Sequence, residues 1–124
     1  MLDEIAEYLG QCGVANVFKA KMPNEPDGCV CLYEYAGRAP TMDLGKTQFR
    51  NPGLQAIARD RQYADARDRI EEVYGLLHGR TNAMIGGRHY LRIFALQEPF
   101  PLGGPDANER YRLAVNFEVA RQEA

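Results

Sequence analysis

Arg61-Gln62-Tyr63-Ala64-Asp65-Ala66-Arg67-Asp68-Arg69-Ile70-Glu71-Glu72-Val73-Tyr74-Gly75-Leu76-Leu77-His78-Gly79 decides how the rest of the chain is read. Tyr63, Ala66, Ile70, Val73, Tyr74 and Leu77 recur at three- and four-residue steps. That is the apolar stripe of a helix lying on a sheet, and it predicts a helix from about residue 61 to 78. Asp60 is placed to cap its start. Gly79 fits the left-handed position that ends such a helix. The other face carries charge. Asp65 with Arg69 and Arg67 with Glu71 are opposite-charge pairs at i, i+4, whereas Asp68 with Glu72 is a like-charge pair. His78, in the last turn, sits where a donor suits the free carbonyls.

Working outward, Tyr111, Leu113, Val115, Phe117 and Val119 alternate with Arg112, Ala114, Asn116 and Glu118. That period of two predicts a half-buried strand with one wet or interface face. Residues 90–96 read as a further strand. Glu98-Pro99-Phe100-Pro101-Leu102-Gly103-Gly104-Pro105-Asp106 between them reads as a loop holding two apolar residues among prolines. Upstream of the helix, residues 48–59 read as a strand interrupted near its start by Asn51-Pro52-Gly53. Residues 36–46 read as a connector, long enough to be functional in a small domain. Residues 14–21 and 29–35 read as two strands of a hairpin across the turn cluster Pro23-Asn24-Glu25-Pro26-Asp27-Gly28. Residues 2–9 read as a short helix with Leu2, Ile5, Ala6 and Leu9 on one face. The order is α-β-β-β-α-β-β. The expected class is α+β: a mainly antiparallel sheet with one long amphipathic helix and a short N-terminal helix packed on it.

A chain of 124 residues fits one domain, residues 1–124. Lys and Arg number 15 against 17 Asp and Glu, a net charge of −2. This is not the basic footprint of a nucleic-acid binder. Twelve of the cations are Arg, the residue suited to interfaces and bidentate carboxylate pairing. No apolar run approaches the roughly 20 residues of a membrane helix, and the N-terminus is acidic rather than signal-like. Cys12, Cys29 and Cys31 make an odd count, so no disulfide framework is indicated and folding in a reducing cytoplasm is expected.

The residues do not assemble a catalytic set. His89 follows Gly86-Gly87 and has no Ser or Cys neighbour. Cys29-x-Cys31 lacks the spacing and the second pair of a structural zinc site. Neither Gly86-Gly87 nor Gly103-Gly104 has the context of a phosphate loop. The expectation is therefore no catalytic residue, no metal and no cofactor.

Pro26-Asp27-Gly28-Cys29-Val30-Cys31-Leu32-Tyr33-Glu34-Tyr35-Ala36-Gly37, Asn51-Pro52-Gly53-Leu54-Gln55 and Tyr63-Ala64-Asp65-Ala66-Arg67 with its continuation to Leu77-His78-Gly79 resemble the bacteriophage minor capsid protein family. So do Ala95-Leu96-Gln97-Glu98-Pro99-Phe100-Pro101-Leu102-Gly103 and Val115-Asn116-Phe117-Glu118-Val119. The likeness spans about residues 14–120, and the layout is similar to that of tail terminator (tail completion) proteins of long-tailed phages. The resemblance implies a small subunit that forms a ring, a hexamer in expectation. The ring would cap the tail tube, join it to the head connector or adaptor protein, and sit at the head–tail junction of the virion after assembly in the host cytoplasm. DNA would pass through without specific binding, and no membrane is involved. The resemblance carries over no catalytic residue. Arg38, Met42, Leu44, Phe49, Phe100 and Leu102 are the expected subunit or partner contacts. A head-side minor capsid or head–tail adaptor role is the alternative reading. A small α+β ligand-binding domain or enzyme is the more distant one, and it would need a concave site with convergent polar groups.

Overall fold

The computed structural model describes residues 1–42 and 48–122. The elements are α1 (Leu2–Gln11), β1 (Val17–Lys19), β2 (Cys29–Met42), β3 (Gln48–Asp60), α2 (Tyr63–Leu77), β4 (Arg80–Ile85), β5 (Arg88–Ala95), β6 (Phe100–Pro101) and β7 (Tyr111–Gln122). The seven strands form one sheet in the order β1-β2-β3-β7-β5-β4, with β6 also pairing to β7.

The expected α+β class is overturned. Strand accounts for 48% of the chain, and the sheet curls into a half-barrel. The helices have only 10 and 15 residues, so the protein is not an antiparallel sheet under one long helix. Two segments supply most of the excess of strand, and Phe100–Pro101, within the expected loop, adds the short β6. The connector expected at residues 36–46 is strand as far as Met42. Arg80–Ile85, assigned to nothing from the sequence, is an edge strand. Register shifts between Tyr35 and Arg38 and between Arg38 and Thr41 break the period of two in β2, which hides it from pattern reading.

The expected hairpin between the first two strands is also corrected. β1 runs parallel to β2, with Val17, Phe18 and Lys19 opposite Val30, Cys31 and Leu32. Ala20, at φ 64, turns the chain out of β1. The loop over residues 20–28 then swings back to start β2. Arg59 secures that loop from β3: Nε donates to the Asp27 carbonyl (3.1 Å) and Nη2 to those of Pro23 (2.7 Å) and Pro26 (2.8 Å).

The expected N-cap, Asp60, does not cap α2. The cap position is Gln62, without a side-chain hydrogen bond. Asp60 instead accepts from Arg69 Nε at 2.8 Å and from its neighbour's amide. Arg69 thus pairs with Asp60 rather than with the expected Asp65. The Arg67–Glu71 pair forms at 3.2 Å, and Gly79 ends the helix at φ 84. His78 does not donate to the last carbonyls. Its Nδ1 accepts the Ala95 amide at 2.9 Å, and its ring stacks on Tyr74 with centroids 4.9 Å apart.

The core lies between the two helices and one face of the sheet. Ala66, Ile70, Val73 and Leu77 of α2 and Ile5 and Leu9 of α1 are buried with Val30, Leu32, Leu54, Ala56, Leu113, Val115, Phe117 and Val119. Hydrophobic burial of this kind is the main drive to fold. Gly86 and Gly87, both at positive φ, close the β4–β5 hairpin.

One buried-edge carboxylate ties α1 to the sheet. Glu4 accepts from Arg88 Nε at 3.0 Å and from the Tyr90 hydroxyl. Burial opposes ionisation of Glu4, but the hydrogen bonds from Tyr90 and Arg88 outweigh it and hold its carboxyl below the ordinary range. A carboxyl depressed in the folded state stabilises above its unfolded pKa, and that contribution disappears as pH falls through the folded value. Glu4→Gln is expected to lower Tm by a few degrees at neutral pH. The gap from the parent should close as pH drops below about 4. Thermal melts from pH 7 to pH 3 check this, and a gap that widens on acidification would contradict it.

Candidate assembly surface

The helices cover one face of the sheet and leave part of the other uncovered. Cross-strand pairing places two rows of side chains there. Tyr33, Gln55 and Asn116 are opposite one another, and so are Tyr35, Gly53, Glu118 and Phe94 in the next row. Gly53 is required in that row: a Cβ there would stand 2.4 Å from the Tyr35 ring. The ring lies across the glycine and its hydroxyl donates to the Phe117 carbonyl at 3.0 Å.

Around this point lies a depression of about 170 Å³, lined by Tyr35, Arg38, Pro52, Leu96, Phe117 and Glu118 among others. Tyr35, Phe94 and Leu96 are the large apolar side chains exposed on this side, Leu96 at 57%. Exposed apolar side chains grouped on one face mark an interaction surface more often than a lone one does. Charge frames the patch. Glu118 is held by Arg38 and by Arg92 Nη2 at 3.5 Å, so two guanidinium groups share one carboxylate. Arg38 also borders a second, more polar depression of about 270 Å³ with Glu34, Arg50, Pro40 and Arg121. Among the described residues Asn116 Oδ1 is buried without a hydrogen-bond partner.

The expected contact residues are not brought to one place. Arg38 joins the patch through Glu118. Phe49, near the start of β3, is half-buried with its ring edge toward His89 at 6.4 Å. Phe100 lies in β6, half-buried and opposite Ala114. Leu102 is half-buried and its amide donates to the Arg112 carbonyl at 2.9 Å. Met42 ends β2, opposite Gln48. Leu44 falls outside the described residues. Sequence reading missed Tyr35, Arg92, Phe94 and Leu96. The available signal was the alternation of Tyr33 and Tyr35 in β2.

The far end of this face has a different character. Cys29 and Cys31 are fully buried. Burial pushes both thiols up, and burial together with the neighbouring Cys31 pushes Tyr33 up to about 12. Cys12 is exposed. Among the described residues no three His, Cys, Asp or Glu side chains are gathered so as to hold a metal ion. None of the described helices is long and apolar enough to cross a membrane.

A solved chain titled "Virion of native gene transfer agent (GTA) particle" is similar in fold. Its TM-score is 0.56 over 96% of this chain and 84% of that chain, at 14% sequence identity. No curated protein sequence matches. Residues 6–123 match the family described as bacteriophage tail terminator protein. A match of that extent begins within α1 and spans α2 and the whole sheet, and the chain belongs to the bacteriophage tail terminator protein family, whose members are structural proteins of the phage virion.

Proposed function

We propose that this protein assembles into a ring, a hexamer, that caps the tail tube and presents the tail to the head connector or adaptor protein at the head–tail junction. The observation that carries the reading is the uncovered sheet face with exposed Tyr35, Phe94 and Leu96 beside the Arg38–Glu118–Arg92 cluster, in a chain of the tail terminator family. An apolar centre with an arginine-rich polar border is how lasting protein contacts are composed. Arg38 is one of the contacts in this reading. Met42, Leu44, Phe49, Phe100 and Leu102 serve further contacts with neighbouring subunits or virion partners. The work is assembly rather than catalysis, and the net charge of −2 suits a lumen through which DNA passes without being retained.

The test is mass measurement by light scattering, of the purified full chain alone and mixed with isolated tail tubes. The expected result is a closed oligomer, either free or formed on tube ends. A chain that remains monomeric in both cases and never decorates tube ends would overturn the reading.

A further inference from the structure

The helical layer of the subunit presents a surface that matches the uncovered sheet face in charge. Residues of α2 facing away from the core are Ala64, Asp65, Asp68, Glu71, Glu72 and Gly75, all exposed. Arg67 holds Glu71, and Arg69 is engaged by Asp60. Among the described residues Asp65, Asp68 and Glu72 have no cation partner. The ridge is therefore acidic, and it is flanked by the small residues Ala64 and Gly75, which let another surface come close. On the opposite layer Arg38 and Arg92 share the single carboxylate of Glu118. Each guanidinium has five N–H donors, so binding Glu118 leaves capacity for a second carboxylate.

We infer that neighbouring copies associate front to back: the Asp65–Asp68–Glu72 ridge of one copy seats against the Arg38- and Arg92-framed apolar depression of the next. This rests on the ring proposed above and names the two surfaces that close it. Ridge against ridge would oppose like charges, and so would two arginine-framed faces meeting each other. The complementary pairing uses two different surfaces on opposite layers. Such a contact is heterologous, and repeated with a rotation that closes, it generates a ring. A stable contact needs about 800 Å² from each partner, so two such faces fit within the 6799 Å² surface of one copy. Apolar cover of Tyr35, Phe94 and Leu96 supplies affinity, while the charges choose the partner surface and the register.

The test is a charge exchange in the full-length chain, read by light scattering with and without tail tubes. Circular dichroism melts verify that each variant is folded. One variant carries Arg38→Glu and Arg92→Glu, and the other Asp68→Arg and Glu72→Arg. Each alone is expected to associate about a hundredfold more weakly than the parent, because like charges then face each other. An equimolar mixture of the two, or one chain bearing all four changes, is expected to regain assembly. The helix variant alters only exposed positions, so it keeps the test decisive if the sheet variant folds poorly. Parent-like assembly of the helix variant, or folded variants whose mixture stays dissociated, would overturn the pairing while leaving a ring built on other surfaces. A parent chain that never assembles would overturn the ring itself.

Discussion

Replacing Phe117 by alanine is expected to cost about 3–5 kcal/mol of folding stability. Phe117 is fully buried in β7, with Leu54 of β3 and Ala95 of β5 as its cross-strand neighbours. Hydrogen-bonded ladders hold β7 on both sides, so the backbone cannot move in to fill the void. Residual cavity volume is what raises the cost of such truncations above the simple transfer term. The Tyr35 hydrogen bond is to the Phe117 carbonyl and survives the change. Urea unfolding should therefore show a lower midpoint with an unchanged slope. Phe94→Ala is the internal control. Phe94 stands in the neighbouring strand but on the uncovered face, 38% exposed. Its truncation should change stability by less than about 1 kcal/mol. Equal losses for the two variants would mean that the sheet has been assigned the wrong buried face.

Replacing Arg59 by leucine is expected to cost about 3 kcal/mol and to loosen the loop over residues 20–28. Arg59 is 4% exposed, and its guanidinium is the donor for four carbonyls of that loop. Leucine supplies no donor, so several loop carbonyls lose their partner at once, which costs more than a single exposed hydrogen bond contributes. Lysine should recover only part of the loss, since a single ammonium cannot reproduce the planar fork. The loop has a second tie in Arg110, which is nearly buried, donates to Asp106 Oδ2 at 3.0 Å and stands 3.5 Å from the Asp27 carboxylate. The variant should therefore loosen locally before it unfolds globally. Thiol labelling reads this directly. Cys29 and Cys31 are buried in the parent and should react slowly, whereas in Arg59→Leu they should react at a rate set by loop opening. Parent-like labelling together with parent-like stability would show that Arg59 does not secure the loop.

The elements legible in the sequence are those whose burial is periodic. β7 alternates because the core face is packed and the opposite face is only partly covered. α2 is visible because Ala66, Ile70, Val73 and Leu77 all point into the core. What escaped reading lacks that regularity. β4 has five exposed or half-exposed residues before Ile85, so nothing in Arg80-Thr81-Asn82-Ala83-Met84 alternates. The outer half of β2 contains Gly37 and Pro40 and two register shifts, and it imitates a connector. The loop that lets β1 pair in parallel is held by Arg59 of β3, distant in sequence, and no local pattern records that. Both misses moved strand into connector, and with them the balance of the fold from mainly β to α+β. The expected contact residues do not fall in one place on the surface. Arg38, one of the expected contacts, lies beside Glu118 on the uncovered face. Phe94, Leu96 and Arg92 join it only because β5 and β2 both lie within one β7-centred sheet.

The rim of the sheet has a consequence for how separate copies behave in solution. A bare strand edge invites another chain to add on and grow a fibril. At one flank β6 ends in Pro101, which has no N–H to offer, and Pro99 stands just ahead of it. At the outermost strand Asn82 is in a left-handed backbone conformation, φ 49, which an incoming extended chain cannot match. At the opposite limit β1 is only three residues long. These blunt borders discourage edge-to-edge addition, so a concentrated solution of separate copies resists fibre growth.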